Sequence, residues 1–349
     1  MKRRVIVISE DFVEPWDEGI KNFSWNLGRA LKEDHEVRLI NVDRSGVGSG
    51  VDTTRVPSSR LFAHPRLRRR ITEFDPELII YVPSPSSTLA SFGRCFFLRR
   101  HAPRAAIGMV ALIPRRHRWM AKAMVTSVAP DLLFVPSYRS LLHSYQLKLD
   151  SKLIPVGVDV DKFRLPGDGE KVALRRRFGI SESKYVYLHV GHLSRKRNLE
   201  ALAVLARRPG AELIVIGSTS TEEDVELRAR LESLRIRVIR EVVPISEFYR
   251  LADCYVFPVV DSDGCVEIPL SVLEALASGL PVLTRPFGGL RDHLPPGDDV
   301  RYWDNEDELC VHADSLRANG VTKVRAMDSF SWRNVATSIV SSLETRLKT

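Results

Sequence analysis

The fold is decided by the stretch Ser271-Val272-Leu273-Glu274-Ala275-Leu276-Ala277-Ser278-Gly279-Leu280-Pro281-Val282. Its first half is predicted to be a helix that Pro269 opens, because proline is well tolerated in the first turn of a helix. Its second half leads into an apolar strand at Pro281 to Leu283. Glu274 lies inside the apolar run of the helix, where a charge usually has a partner. The stretch therefore predicts a helix followed by a buried strand, with one carboxylate in an apolar setting.

Short apolar runs rich in β-branched residues alternate with segments of helical spacing along the whole chain. In the first half the runs are Val5 to Ile8, Val37 to Ile40, Leu78 to Val82, Ile107 to Leu112 and Leu132 to Val135. In the second half they are Tyr185 to Val190, Glu212 to Ile216, Arg237 to Ile239, Cys254 to Phe257 and Pro281 to Leu283. Such strands, joined by helices, predict parallel sheets covered on both faces. With 349 residues the chain is predicted to be an α/β protein with two domains.

The boundary between the two predicted domains lies near Pro155 and Gly157, which punctuate regular structure. We expect a first domain over residues 1–158 and a second over residues 159–330. Residues 331–349 are expected to form a final helix that Ser331 caps and that runs through Leu347. Its apolar positions recur every four residues and need a surface on which to pack. They are Val335, Ile339, Leu343 and Leu347.

The composition of the chain bears on its cellular compartment and on how it could contact a membrane. The four cysteines form no paired or histidine-spaced cluster, so neither a zinc site nor a disulfide framework is predicted and a reducing cytosol fits best. The apolar run at Val5 to Ile8 is too short for a signal peptide. No stretch approaches the roughly 20 apolar residues of a membrane span, so membrane contact is expected to be peripheral, on the inner face of the cell membrane.

The net charge of +8 is concentrated between Arg55 and Lys122, which indicates a basic first domain. This charge fits either a solvated surface or attraction to anionic lipid headgroups or a phosphorylated acceptor. Phe96-Phe97-Leu98 beside Arg99-Arg100 suits a surface that dips into a membrane interface. Nucleic acid is not an expected partner, because no recognisable binding motif accompanies the charge.

Four segments between Pro155 and Gly289 resemble, in their order, the retaining glycosyltransferases of family 4, a group with the GT-B fold. The segments are Pro155 to Phe163, Gly191 to Asn198, Ala252 to Pro258 and Ser271 to Val282. They look like the family's interdomain signature, its diphosphate-closing segment, the strand into its donor site, and its most specific helix and strand. The resemblance implies two Rossmann-like domains facing each other across a cleft, with the final helix packing back toward the first domain.

The resemblance also assigns a donor site to the second domain. The leaving nucleotide diphosphate gains negative charge as the glycosidic bond breaks, so cations must face it. Lys196 and Arg197 are the candidate cations, and Glu274 would bind the ribose hydroxyls of the donor. Five further residues are expected to line the donor site by their place in the motifs. They are Gly191, His192, Pro258, Ser271 and Val272. A basic loop without a ligand and a solvated Glu274 are the structural alternatives.

Two positions depart from the family's pattern. His192 stands where the family has an arginine, and it is shorter and only partly charged at neutral pH. The family carries a second glutamate before the one that corresponds to Glu274. In this chain Val266 occupies that position, while Glu267 stands one residue too close to Glu274. We expect the preceding loop to shift so that Glu267 or Asp263 reaches the donor sugar. The alternative is that this contact is missing.

The loop from Glu14 to Asn22 in the first domain looks like the family's glycine-bearing loop. Gly19 would let the backbone approach the donor phosphates or the acceptor, and Lys21 and Asn22 would offer side-chain donors. A plain connecting loop is the alternative. His117 is displaced from the position of the family's histidine and is expected to be a surface residue.

The predicted function is transfer of a sugar from a nucleotide-sugar donor to a lipid-linked or polysaccharide acceptor, with retention at the anomeric carbon. No metal or cofactor is expected. The aspartate pairs Asp159/Asp161 and Asp261/Asp263 lack the single-domain layout of a metal-dependent transferase, and no dinucleotide fingerprint follows either opening strand. Two alternatives are a degenerate GT-B protein that serves as a non-catalytic partner subunit and a GT-B sugar-nucleotide epimerase.

Overall fold

The structure is a computed structural model that describes residues 1–347 apart from 13, 15, 17, 44–53, 58, 60, 85, 116, 118–121, 219–223 and 261–264. The chain divides by its internal contacts into two compact units. The first unit comprises Met1–Gly157, Gly264–Ile268 and Trp332–Thr349, and the second comprises Val158–Asp263 and Pro269–Ser331. The first unit therefore holds both ends of the chain.

The first unit contains, within its described residues, one parallel sheet with helices around it. Its strands are β1 (Arg4–Ser9), β2 (Glu36–Asp43), β3 (Thr54–Pro57), β4 (Leu78–Val82), β5 (Ala106–Val110), β6 (Leu132–Val135) and β7 (Ser151–Leu153). Its helices are α1 (Gly19–Asp34), α2 (Pro65–Phe74), α3 (Leu89–His101), α4 (Lys122–Ser127), α5 (Tyr138–Gln146) and α13 (Trp332–Glu344). Every residue of β4, β5 and β6 is buried, as expected for central strands that helices cover on both faces.

The strand order of the first sheet is β3-β2-β1-β4-β5-β6-β7. The order changes direction at β1, because β2 pairs with one edge of β1 and β4 pairs with the other. At such a switch point the loops that follow the two strands diverge to opposite faces and leave a crevice at the carboxyl ends of the strands.

The second unit repeats this design. Its strands are β8 (Tyr185–Gly191), β9 (Ala211–Gly217), β10 (Ile236–Ile239), β11 (Cys254–Phe257), β12 (Val282–Thr284) and β13 (Val300–Tyr302). Its helices are α6 (Glu170–Arg177), α7 (Ala203–Ala206), α8 (Val225–Ser233), α9 (Ile245–Leu251), α10 (Leu270–Ala277), α11 (Leu290–His293) and α12 (Glu306–Asn319). The strands are parallel in the order β10-β9-β8-β11-β12-β13, so the switch point lies between β8 and β11.

The prediction of an α/β protein with two parallel sheets is confirmed, and each predicted apolar run overlaps a strand. The sequence reading missed the short strands β3, β7 and β13, whose three or four residues carry too little pattern to be recognised. The segment from Asn198 to Arg207 forms a 3₁₀ turn, Leu199–Leu202, followed by the short α7, rather than one continuous helix. Helix α8 begins at Val225, because the Asp224 carboxylate caps it by accepting from the Leu227 amide at 2.9 Å.

The final helix, α13, packs within the first unit against α1, β4 and β5. Val335, Ile339 and Leu343 are buried as predicted, but the helix ends at Glu344, so Leu347 lies beyond it. Among the described helices, none combines the length and apolar character that crossing a bilayer requires.

The chain leaves the first unit after Gly157, contributes Gly264–Ile268 to it, and returns to it finally at Trp332. A Cβ atom on Gly157 would lie 2.4 Å from carbon atoms of the Trp332 indole, so the ring closes directly over the glycine backbone. On the side of the second unit, the Val158 amide donates to the Phe330 carbonyl at 2.7 Å, and Val158 forms a parallel bridge with Ser331. The outgoing and returning strands of chain are thus paired where they enter the second unit.

Candidate functional site

The switch point of the second sheet brings together two of the motif segments. Gly191 ends β8, and Pro258 follows β11. The two following loops are joined because the Asn198 side-chain amide donates to the Pro258 carbonyl at 3.3 Å. Asn198 has a left-handed backbone with a φ of 55°, which an asparagine tolerates and which turns the chain back toward the sheet. The crevice of this sheet is therefore lined by the segment expected to meet a diphosphate.

Three basic residues follow β8, and they differ in how they are engaged. Arg195 is exposed and paired with Asp224 at 3.3 Å and Glu226 at 2.8 Å. Lys196 is exposed and Arg197 is half-buried, and neither forms an ion pair within the described part of the chain. Arg195 is therefore neutralised by its neighbours, while the charges of Lys196 and Arg197 are available to an anion.

His189 in β8 lies beneath this loop, and the sequence reading missed it. The imidazole is 1% exposed, and its Nδ1 lies 2.9 Å from the Val256 carbonyl of β11. Because a carbonyl oxygen only accepts, Nδ1 carries the hydrogen and Nε2 presents a lone pair. Nε2 is buried without a hydrogen-bond partner among the described residues. Burial lowers the pKa of His189 to about 4, so the ring is neutral at physiological pH.

Gly191 is needed where the chain passes over this histidine. A Cβ atom on Gly191 would lie 3.2 Å from Nε2 of His189, so a larger residue would crowd the imidazole. The next residue, His192, is half-buried at the start of the basic loop. The backbone therefore stays close to the lone pair of a buried, neutral histidine at the mouth of the crevice.

Glu274 lies in α10, which Pro269 precedes as the N-cap residue. The phenol of Tyr249 in α9 donates to Glu274 Oε2 at 2.9 Å and to the Ser271 carbonyl at 3.3 Å. The predicted partner of this carboxylate is therefore a tyrosine, and the solvated alternative is wrong. Removal from water raises the pKa of Glu274 to about 7, although the hydrogen bond from Tyr249 and the charge of Lys162 act in the opposite direction.

The other residues of α10 support this placement. Val272 is fully buried, and Ser271 is half-buried in the first turn. Asp159 and Lys162 of the interdomain signature act electrostatically on the Glu274 carboxyl, so that signature lies near the carboxylate in the second unit. The Asp159 carboxylate accepts from the Lys162 amide at 3.0 Å and thereby closes its own turn. The carboxyl that is predicted to bind ribose is therefore hydrogen-bonded by Tyr249 and lies within the electrostatic influence of the interdomain signature.

The segment 265–268 groups with the first unit rather than with α10, which follows it. The Glu267 amide donates to the Leu112 carbonyl at 3.2 Å, and its carboxylate accepts from the Ser140 hydroxyl, with 3.1 Å between Ser140 Oγ and Glu267 Oε2. Val266, which replaces the family's glutamate, packs on Gly19, where a Cβ atom would lie 2.9 Å from its side chain. Asp263 lies outside the described residues, so its expected contact with the sugar stays a prediction.

The glycine-bearing loop of the first unit uses its polar groups internally. Lys21 is 14% exposed and lies 3.6 Å from Glu18 and 3.9 Å from Asp11. The Asn22 side-chain amide donates to the Trp16 carbonyl at 3.0 Å. The close approach that Gly19 permits is to Val266. The expected roles of Gly19, Lys21 and Asn22 toward a ligand stay predictions.

His117, expected to be a surface residue, is half-buried and makes contacts within the first unit. Its ring packs edge-on against Phe92 with 5.5 Å between the ring centroids, and its amide donates to His143 Nε2 at 3.2 Å. Burial lowers the pKa of His117, as does the neighbouring His143. The two histidines come from connections after adjacent strands, β5 and β6, and this spatial pairing was not visible in the sequence.

The switch point of the first sheet is filled by a compact polar cluster. Glu10 follows β1, and its carboxylate accepts from the Tyr81 hydroxyl at 2.7 Å, from the Ser84 amide at 3.1 Å and from the Arg94 guanidinium. Arg94 also donates to the Tyr81 hydroxyl at 2.8 Å. Burial raises the pKa of the Glu10 carboxyl, and the charge of Arg94 opposes this shift. The polar groups at this position therefore satisfy one another.

Comparisons with known proteins agree with the fold. The sequence model of the family described as Glycosyl transferases group 1 matches residues 184–318. Sulfoquinovosyl transferase SQD2 of Arabidopsis thaliana is 27% identical over 325 residues, which cover 81% of this chain and 60% of that protein. The alpha-monoglucosyldiacylglycerol synthase of Streptococcus pneumoniae is 27% identical over 180 residues, which cover 47% of this chain and 40% of that protein.

The chain thus spans about three fifths or less of the length of these two relatives. Among solved structures, HepE of Anabaena in complex with UDP superposes with a TM-score of 0.75 and 14% identity, covering 99% of this chain and 100% of that one. At that identity the likeness shows the fold alone. The chain has the GT-B fold, and residues 184–318 of its second unit are similar to the family described as Glycosyl transferases group 1.

Proposed function

We propose that the protein is a glycosyltransferase that takes its sugar from a nucleotide-sugar bound by the second unit. The observation that carries this proposal is the chemistry around one crevice of the second sheet. The Glu274 carboxyl is held there by Tyr249, and Lys196 and Arg197 have no ion pair within the described residues. A carboxylate for vicinal hydroxyls and cations for phosphate are the groups that a nucleoside diphosphate requires.

The ionised Glu274 carboxylate would accept hydrogen bonds from the ribose hydroxyls of the donor. Lys196 and Arg197 would hold the diphosphate, and the amides of the first turn of α10 add a favourable partial charge. Gly191, His192, Pro258, Ser271 and Val272 would line the remainder of the donor site. The structure of HepE with bound UDP supports a nucleotide ligand for a protein of this fold.

The proposed reaction retains the configuration of the anomeric carbon and needs no metal. The bond between the anomeric carbon and the diphosphate oxygen breaks, and a bond to an acceptor hydroxyl forms on the same face. The proton of that hydroxyl passes to the leaving phosphate, whose charge Lys196 and Arg197 stabilise. No side chain is assigned as a nucleophile, so the protein contributes positioning and charge. Glu267 is proposed to contact the sugar through the segment 265–268.

A lipid-linked or polysaccharide acceptor, used at the inner face of the cell membrane, completes the proposal. The basic first unit supports it, as does the likeness to a Streptococcus pneumoniae protein that is named for a glucosylated diacylglycerol.

One observation favours a different function, that of a non-catalytic partner subunit. Val266 replaces the family's glutamate and packs on Gly19, so one expected contact with the sugar is absent at that position.

The test combines nucleotide binding with turnover. Purified protein is screened by thermal shift against UDP, GDP, ADP and TDP sugars, because a ligand of the folded state raises the melting temperature. We expect one nucleotide to stabilise the wild type and Glu274→Ala to lose the shift. Glu241→Gln is the matched control, since Glu241 is an exposed carboxylate of the same unit.

Release of free nucleotide from the stabilising donor is then measured with and without lipid-linked and polysaccharide acceptors. Turnover that Glu274→Ala abolishes supports the enzyme. Binding without turnover for any acceptor favours the partner subunit. A shift of equal size in wild type and Glu274→Ala removes the donor-site assignment.

A further inference from the structure

Helix α5 in the first unit exposes apolar side chains and buries serines. Its buried positions include Ser140 and Ser144, while Tyr138, Leu142 and Tyr145 are 54%, 61% and 54% exposed. The three exposed residues are spaced at i, i+4 and i+7, so they form one stripe along the helix. A surface helix ordinarily turns such a stripe toward the core. Here the core side receives two serines beside the half-buried Leu141, and the solvent side receives two aromatic rings and a leucine.

Hydrogen bonds fix this orientation. The Ser137 hydroxyl caps the helix by accepting from the Ser140 amide at 3.1 Å, and the Ser140 hydroxyl donates to the Glu267 carboxylate. The Ser144 hydroxyl lies 2.6 Å from the Ser151 hydroxyl and donates to the Leu141 carbonyl at 2.7 Å. Rotating the helix to bury its apolar stripe would break these bonds and leave buried hydroxyls unsatisfied. The exposed stripe is therefore a stable property of the fold.

The neighbouring helix, α4, also carries an exposed apolar residue. The Thr126 hydroxyl of α4 donates to the Leu147 carbonyl at the end of α5, with 3.1 Å between oxygen atoms, and Met124 of α4 is 53% exposed. Helices α2, α3 and α4 and the end of α5 contribute to one buried apolar cluster, through Leu67, Leu98, Val125 and Leu147. These four helices therefore form one layer.

This layer also carries the charge of the protein. Helices α2 to α5 contain nine arginine and lysine residues and one acidic residue, Glu73. Because Arg94 and Arg99 pair with Glu10 and Asp131, which lie outside these helices, a surplus of six positive charges remains. Arg66, Arg68, Arg100 and Arg139 are among the exposed members. An apolar stripe with tyrosines beside a cationic surface complements an anionic bilayer, in which rings enter the interface and cations meet phosphate.

We propose that the outer surface of α2 to α5 docks on an anionic lipid surface, with Leu142 and Tyr145 entering the interface. The inference rests on the proposed function to the extent that a membrane-held acceptor gives this docking its purpose. Docking itself needs neither donor nor turnover. The electrostatic part depends on salt, because surface charges are screened, whereas the insertion of the stripe does not.

Co-sedimentation of the full chain with lipid vesicles tests this. We expect binding to vesicles of phosphatidylglycerol and phosphatidylcholine in equal parts, and little binding to phosphatidylcholine alone. The double variant Leu142→Ser/Tyr145→Ser should bind about tenfold more weakly, because two apolar side chains no longer enter the interface. Arg66→Gln/Arg68→Gln should weaken binding to the anionic vesicles and reduce its dependence on salt.

The matched control is Val225→Ser/Val311→Ser, since these valines are 66% and 65% exposed in the second unit. It should bind vesicles as the wild type does. Equal vesicle binding by wild type and Leu142→Ser/Tyr145→Ser overturns the proposal. Self-association without lipid that this variant abolishes, measured by sedimentation velocity, assigns the stripe to a second copy and also overturns it. The nucleotide-induced thermal shift, measured without vesicles, reports the donor site separately, so the two proposals fail independently.

Discussion

The two sheets have the same kind of switch point, but the crevices differ in how their polar groups are engaged. In the first unit, Glu10, Tyr81 and Arg94 satisfy one another at the carboxyl ends of β1 and β4. In the second unit, His189 keeps an unpartnered Nε2, and Arg197 has no ion pair within the described residues. With the same topology, the polar side chains of the first crevice satisfy one another, whereas those of the second crevice lack some of their hydrogen-bond and ion-pair partners among the described residues. An incomplete cluster is where a ligand would supply the missing partners.

Arg94→Met gives the largest expected effect and tests the closed crevice. In the wild type both the Arg94 and the Glu10 side chains are less than one-sixth exposed. The substitution leaves the Glu10 carboxylate in this site without its cationic partner. We expect a loss of about 3 kcal/mol in the free energy of unfolding, because removing one partner strands a desolvated charge. Urea denaturation measures it. Glu10→Gln/Arg94→Met should recover part of the loss, and the nucleotide-induced thermal shift should persist in both variants. Loss of that shift would mean that the first crevice also serves the donor.

Arg197→Met tests the open crevice. We expect nucleotide affinity to fall about 10- to 100-fold, since a hydrogen bond to a charged group contributes about 1.5–3 kcal/mol. The stability of the free protein should change little, because Arg197 forms no ion pair within the described residues. Isothermal titration with the stabilising nucleotide gives the affinity. Arg195→Met is the neighbouring control, and its effect should be smaller because Asp224 and Glu226 already neutralise Arg195. Equal losses in the two variants would contradict this difference.

The pH dependence of binding follows from Glu274, whose pKa is about 7. Only the ionised carboxylate accepts from both ribose hydroxyls, so affinity should fall as the pH drops below 7, approaching tenfold per unit. Titrations between pH 5 and pH 8 measure this, and Glu274→Gln should bind weakly with a flat profile. A wild-type profile without a slope near neutrality would show that this carboxyl does not contact the nucleotide.

The stability of the free protein should change with pH in the opposite sense. A carboxyl whose pKa is raised by folding binds its proton more tightly in the folded state, so its ionisation destabilises the protein as the pH rises toward 7. Glu274→Gln should therefore raise the melting temperature at pH 8, on the order of 2–4 °C, and should have little effect at pH 5. A stabilisation of equal size at both pH values would argue against the raised pKa.

His189→Phe is expected to have the smallest effect. The phenyl ring gives up the hydrogen bond to Val256 but also removes a buried, unpartnered nitrogen, so stability should stay within about 1 kcal/mol. Nucleotide affinity should fall a few-fold, because the backbone at Gly191 packs on this ring. His189→Asn, which retains polar atoms in a smaller side chain, distinguishes loss of packing from loss of the acceptor. Unchanged affinity in both would assign His189 to the core alone.

The sequence predicted what depends on local pattern. The central strands and the helix that carries Glu274 follow from apolar runs, and β11 has the predicted bounds, Cys254–Phe257. The need for a partner to Glu274 also followed from its apolar neighbours. The identity of that partner did not, because Tyr249 lies in a different helix, and helix contacts are set by packing rather than by spacing.

The remainder of the candidate site depends on contacts between distant segments. Ser140 meets Glu267 across 127 residues, and the lone pair of His189 is defined by a carbonyl of the neighbouring strand. In each case, the sequence of one segment contains no pattern from which its contact with the other could be predicted. The departure at Val266 was readable from motif spacing, but its packing on Gly19 was not.

The paired junctions at Gly157–Val158 and Ser331–Trp332 suggest how such proteins can be recombined. The second unit begins at Val158 and ends at Ser331, which a bridge holds side by side, but the chain between them also contributes Gly264–Ile268 to the first unit. A chimera that exchanges residues 158–331 while keeping the scaffold that carries α5 would have to preserve the contacts of Val266 with Gly19 and of Glu267 with Ser140. Gly157 and Trp332 would have to be kept together in any such chimera, because the ring leaves no room for any side chain at position 157. The same seam gives gene fusion and duplication a place at which to exchange the second unit, provided that these contacts are kept.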